Sequence, residues 1–254
     1  MAITSYVAIG DSFTEGMGDR WPDGVERGWA DLVAMGLSAA AGRPIAYANL
    51  AIRGRTLDPL LAEQLAPAIA MRPDLLTING GGNDIMRPRI SIDGVARRIA
   101  AAAEEAASAG IRVLLVSGAD PSEHLPLGPV MRRRGVELTD ALVARLASAD
   151  PGRIAFCDNF ADPILRRPEH WSDDGLHLNA LGHRRVAANV LRALGIEVAA
   201  ALPAETAPPG TATDFGSLAY WRAHVVPWIG RRLTGRSSGD GRAPKRPDLV
   251  PFDR

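Results

Sequence analysis

The sequence carries one cysteine and no net charge, and each shortage closes off a class of protein. A lone thiol, Cys157, cannot form an intramolecular disulfide or a multi-cysteine zinc cluster. The 29 Lys+Arg balance 29 Asp+Glu, so the chain has no general electrostatic attraction for nucleic acid or an anionic membrane. No uninterrupted apolar run approaches the roughly 20 residues that span a bilayer, and no integral membrane association is expected. The opening residues, MAITSYVAIGDS, lack the basic segment of a secretory leader, so the expected location is cytoplasmic. Internal repeats are missing too. What is present is 46% hydrophobic and 23% charged residues in a chain of 254. Those are globular proportions, too apolar for wholesale disorder and long enough for a buried core.

Five short apolar runs punctuate the chain: Tyr6–Ile9, Ile45–Leu50, Leu75–Ile78, Val113–Val116 and Ile154–Phe156. They show little polar alternation, as strands buried on both faces of a parallel sheet do. Between them lie helical segments, Trp29–Ala41, Leu57–Met71, Ile92–Ala109, Arg132–Ala149 and His183–Leu194. Thr56 and either Ser91 or Asp93 are expected N-caps, and Gly110 a stop. Alternating strands and helices predict an α/β fold, a three-layer α/β/α sandwich in one domain over residues 1–200. Residues 201–254 change character. Pro203–Gly216 reads as a linker, and Leu218–Leu233 as a helix with Trp221, Val225 and Trp228 on one face. Residues 231–254 carry seven Lys/Arg against three Asp and predict a basic, flexible tail.

Ligands of open parallel sheets bind beyond the carboxyl ends of the strands, so the residues following each run carry the functional expectation. They are Gly10-Asp11-Ser12-Phe13, Asn49 through Arg55, and Asn79 through Asp84, joined from far downstream by Trp171 through His177. A serine hydroxyl is a poor nucleophile until an imidazole takes its proton, and His177 is the candidate base. Asp174, three residues earlier, can orient that ring; Asp173 is a rival at a different spacing. Acyl transfer also builds negative charge on a carbonyl oxygen, where each aimed donor contributes about 2.7–4 kcal/mol. The Ser12 N–H, the Gly54 N–H and the Asn83 amide are candidate oxyanion donors, while Asp11 and Asp84 are read as holding loop N–H groups. Met17, Trp21 and Trp171 flank these blocks and are candidate walls of a substrate pocket. The remaining histidines, His183 included, suggest no metal site. GRSSG at residues 235–239 matches a nucleophile elbow in letters only, without the strand and helix that motif needs. The Gly80–Gly82 run lacks the Lys-Ser/Thr of a phosphate loop.

IGDSFTEG resembles the first block of the SGNH/GDSL hydrolase superfamily. Gly54 in NLAIRGRT, GGND at Gly81–Asp84 and DGLHLNALGH at Asp174–His183 resemble its second, third and fifth blocks, spanning residues 8 to 183. The resemblance implies a flavodoxin-like sheet of five parallel strands in the order 2-1-3-4-5. It also implies Ser12 as nucleophile with Asp174 and His177 completing a triad, and Ser12, Gly54 and Asn83 as the oxyanion hole. The implied reaction is hydrolysis of a small-molecule acyl ester, without metal or organic cofactor. The absence of an inserted lid points to short- or medium-chain acyl groups. A thioesterase, lysophospholipase or acyltransferase would use the same residues, and a catalytically silent carbohydrate- or lipid-binding module would keep the same scaffold. The sequence indicates no oligomeric state.

Overall fold

Apolar runs too continuous for a half-exposed sheet do form its interior. The computed structural model describes residues 3–125, 128–197, 202 and 237–252. Strands β1 (Ser5–Ile9), β2 (Ala46–Asn49), β3 (Leu75–Ile78), β4 (Arg112–Val116) and β5 (Ile154–Cys157) are mutually parallel. Their order is β5-β4-β3-β1-β2, the 2-1-3-4-5 arrangement. In register, Val7 of β1 faces Ala48 of β2 on one side and Leu76 of β3 on the other.

The helices are α1 (Ser12–Glu15), α2 (Trp29–Ala41), α3 (Leu57–Leu60), α4 (Ala66–Ala70), α5 (Gly82–Ile85), α6 (Ile92–Ser108), α7 (Gly128–Leu146) and α8 (Ala180–Ala193). Alternate residues of each strand serve opposite layers. Tyr6, Tyr47 and Leu114 pack with Trp29 and Leu32 of α2 and with Val186 and Val190 of α8. Val7, Ile78, Val113 and Leu115 pack on the other face with Ile99 of α6 and with Leu138 and Leu142 of α7.

Several boundaries differ from expectation for identifiable reasons. The single helix expected over Leu57–Met71 contains a π turn at Leu61–Leu65 between α3 and α4. Thr56 makes no side-chain cap; the carboxylate of Asp84 accepts the Leu57 N–H instead, at 2.9 Å. Ser91 does cap α6, accepting from Gly94 N–H. Helix α7 starts before Arg132, because Gly128-Pro129 opens the helix rather than breaking it; proline is favoured in the first turn.

The larger correction concerns the tail. Where a flexible segment is expected, residues Arg246–Pro251 form β6, antiparallel to β2, and the sheet has six strands rather than five. Two prolines argue against a central strand, yet an edge strand tolerates them because one side needs no ladder bonds. Phe252, 3% exposed, then packs edge-on to Tyr47 at 5.2 Å between ring centroids. The linker and the helix expected at 218–233 lie outside the described residues.

Candidate active site

The strand ends assemble the site, and each loop is fixed by bonds to its neighbours. After β1, the side chain of Gln64 clasps Gly10, accepting from its N–H at 2.8 Å and donating to its carbonyl at 3.0 Å. The π turn that places Gln64 there is the kind of helix irregularity often found beside functional sites. Asp11 then caps α1 by accepting from Phe13 N–H, which puts Ser12 at the first position of that short helix.

His177 sits in a tight loop before α8, closed by an antiparallel bridge between Trp171 and Leu178. Asp174 organises this loop. One carboxylate oxygen accepts from Ser172 Oγ and from the N–H groups of Leu176 and His177, all at 2.8–2.9 Å. The other meets His177 Nδ1 at 2.6 Å. Burial alone would raise the Asp174 carboxyl, but the His177 ring and these N–H donors hold it well below the usual carboxylate range.

Two features bring the histidine loop against the serine loop. Gly18, with φ +98°, lets the carbonyl of Leu178 come so close that a Cβ would collide with it. His183 of α8 is fully buried, accepts from Trp29 N–H at 3.2 Å and donates to the Met17 carbonyl at 3.0 Å. Burial brings its pKa down to about 4, so the ring stays neutral and works as a two-ended strut.

Asn83, in α5, joins the loops after β1 and β2. Its amide donates to Asp11 Oδ2 and to the Arg55 carbonyl, each at 3.0 Å. Burial pushes the Asp11 carboxyl up to about 6, against the hydrogen bonds from Phe13 N–H and Asn83. Gly54 adopts φ +73° in the loop after β2, a conformation suited to glycine.

Ser12, Asn83, His177, Met17 and Trp171 line one cleft. It runs inward between the ends of β3 and β4 and the helices α6 and α7, past Ile78, Ile99, Leu115, Leu138 and Leu142. Its volume, about 140 Å³, is close to the roughly 150 Å³ apolar cavity that admits benzene. Gly54 stands on the neighbouring loop and is not among the residues lining this cleft. Trp21 is not among them either; its ring packs under the Arg27 guanidinium, 5.4 Å from the centroid. Cys157 is buried, and its thiol is pushed up to about 12 by burial. Among the described residues, no group of three or more His, Cys, Asp or Glu is placed to hold a metal ion. No helix among them is long and apolar enough to cross a membrane.

The model of the GDSL-like lipase/acylhydrolase family matches residues 8–185. The chain belongs to this family. It is therefore a GDSL-type carboxylic ester hydrolase. Among solved structures it is similar to the lipase Lip_vut3 from a goat rumen metagenome, with TM-score 0.63, 17% identity, 76% of this chain and 98% of that one covered. It is also similar to the acetylxylan esterase Axe2 of Geobacillus stearothermophilus, with TM-score 0.61, 23% identity and coverage of 78% and 98%. A third is the psychrotrophic esterase EstA of Pseudoalteromonas, with TM-score 0.57, 17% identity and coverage of 76% and 97%. At these identities the structures report the shared fold. No curated protein matches the sequence.

The supporting layer of the GDSL site escaped sequence reasoning. Gln64 gave no signal, since a glutamine inside a helix looks like any surface residue. Glu15 stands within the IGDSFTEG block, where its letter alone assigns it no task; its carboxylate is buried and accepts the Arg53 N–H at 2.7 Å. The one available hint was Lys245, the only lysine in the chain.

Proposed function

We propose that the enzyme hydrolyses short- to medium-chain acyl esters through an acyl-enzyme on Ser12. The observation that carries this reading is the 2.6 Å contact between Asp174 and His177 Nδ1, with His177, Ser12 and Asn83 on one apolar cleft. With its Nδ1 proton held by the carboxylate, the neutral ring keeps Nε2 as its basic nitrogen. Ser12 Oγ bonds to the acyl carbon as its proton passes to Nε2. The alcohol leaves with that proton, and water, deprotonated by the same ring, releases the acid and restores the serine.

Negative charge on the carbonyl oxygen is met by the Ser12 and Gly54 N–H groups and by the Asn83 amide, which exchanges one of its present acceptors, Asp11 or Arg55, for the substrate oxygen. A cleft sized for about one benzene ring favours short acyl chains over long ones. One of the fold neighbours, EstA, is described as inhibited by monoethylphosphonate, which suggests the probe. A fluorophosphonate should label the wild type and not Ser12→Ala, and a nitrophenyl ester series should peak at short or medium chains. Absence of labelling would favour a silent binding module, and a long-chain optimum would overturn the size argument. Product analysis with competing alcohols separates hydrolysis from acyl transfer.

A further inference from the structure

The segment 237–252 lies outside the matched family model, which ends at residue 185. The three structural neighbours match 97–98% of their own length while covering 76–78% of this chain. Yet this segment touches the loop that carries Gly54. Gly239 packs against the Arg53 carbonyl so closely that a Cβ would fall on its oxygen. On Gly54 itself a Cβ would lie 2.5 Å from Ser237 Oγ and 2.9 Å from Ser238 Oγ. The Arg53 carbonyl and the Gly54 N–H belong to one planar trans peptide, so whatever fixes the direction of the carbonyl also fixes the direction of the N–H.

The same segment supplies the chain's only lysine. Lys245 Nζ has three protons and finds three acceptors: the Glu15 carbonyl at 2.6 Å, the Glu26 carbonyl at 2.9 Å and Asp31 Oδ2 at 2.5 Å. Glu15 ends the short helix that Ser12 begins, and its carboxylate holds both the Arg53 N–H and the Arg53 guanidinium. Lysine, carboxylate and guanidinium are buried together, with side chains 9–10% exposed.

We propose that Ser237–Lys245 is a strap that sets the plane of the Arg53–Gly54 peptide, with Gly239 and Lys245 as its two positioning residues. Turnover at Ser12 then depends on a segment beyond the matched family region. The inference rests on the reading of the Gly54 N–H as an oxyanion donor.

The test uses full-length variants assayed well below their melting temperatures, for kcat and KM on a nitrophenyl ester and for the rate of labelling by a fluorophosphonate. Gly239→Ala adds one methyl against the Arg53 carbonyl and leaves the ion network in place. Lys245→Met removes the three donors. Phe252→Leu weakens the far end of the same segment without touching the loop. Gly239→Ala and Lys245→Met should lower kcat and the labelling rate at least tenfold, with KM within threefold. Phe252→Leu should lower the melting temperature and keep kcat within twofold. The strap is refuted if Gly239→Ala stays within twofold of wild type, or if Phe252→Leu loses as much kcat as the other two. Should Lys245→Met not fold, Gly239→Ala decides alone, because its backbone conformation suits alanine. If Ser12→Ala labels and turns over like wild type, the reading of the site falls first and the strap with it.

Discussion

The two faces of the sheet are packed with different materials. On the face covered by α2 and α8, Tyr6, Trp29 and Tyr47 are fully buried, with Phe252 against them, and rings fill the space. On the face covered by α6 and α7 the filling is isoleucine, leucine, valine and alanine, and here the cleft runs inward from Ser12. Broad rings close one layer, whereas on the other branched aliphatic side chains, with Phe156 and Phe160, border an open cleft. The rim that carries Ser12 and His177 belongs to neither layer; it is held by hydrogen bonds between loops. On the proposed function, chemistry, substrate selection and stability fall to different parts of the molecule, and substitutions in each part should separate them.

The rim should show the largest effect. Asp174→Asn would donate to Nδ1 and hold His177 in the wrong tautomer, and kcat should fall about 10⁴-fold by analogy with other triads; a loss below tenfold in steady-state assays would break the assignment. Asn83→Ala should cost roughly 10²–10³ in kcat, and a loss below threefold would remove Asn83 from the reaction.

The ring-packed face should respond in stability. His183 titrates near pH 4 in the fold against about 6.5 when unfolded, so between those values only the unfolded chain takes up the proton. Its contribution is complete above pH 6.5, declines as pH falls, and is gone by about pH 4; the shift corresponds to on the order of 3 kcal/mol. Urea denaturation of wild type and His183→Gln across this range should show the difference in stability shrinking as pH falls. A constant difference would contradict it.

The smallest effect belongs to the aliphatic face. Leu142→Phe narrows the inner cleft, and kcat/KM should drop about tenfold on the longest accepted nitrophenyl ester, given the roughly 1–3 kcal/mol that one methylene is worth in an apolar pocket. Acetyl ester turnover should stay within twofold. Equal losses on both would mean that the cleft does not select chain length.

Much of this architecture is legible in the sequence, for physical reasons that can be named. Val113–Val116 and Leu75–Ile78 read as buried strands because a strand covered on both faces has no reason to alternate. The glycine-rich blocks at Asp11–Ser12 and Gly81–Asp84 stand out because tight turns at strand ends need residues that few other positions favour. Gly128-Pro129 misleads, since the same pair that breaks a helix interior is welcome at its start. Trp21 misleads because proximity in sequence to Ser12 does not carry it into the cleft; Arg27 claims its ring. Gln64 and Glu15 are invisible, because a buried polar side chain is recognised by its partner, and the partners, Gly10 and Arg53, lie 54 and 38 positions away.

The sequence alone determined the parallel strands and the glycine-bearing turns at their ends, because strand burial and turn geometry are local properties written in consecutive residues. Only the tertiary structure decided that a basic, proline-bearing tail becomes an edge strand and that Lys245 finds three acceptors, one of them on the helix that Ser12 begins. Pairing and charge compensation are contracts between distant segments, and neither side shows the other in its own composition.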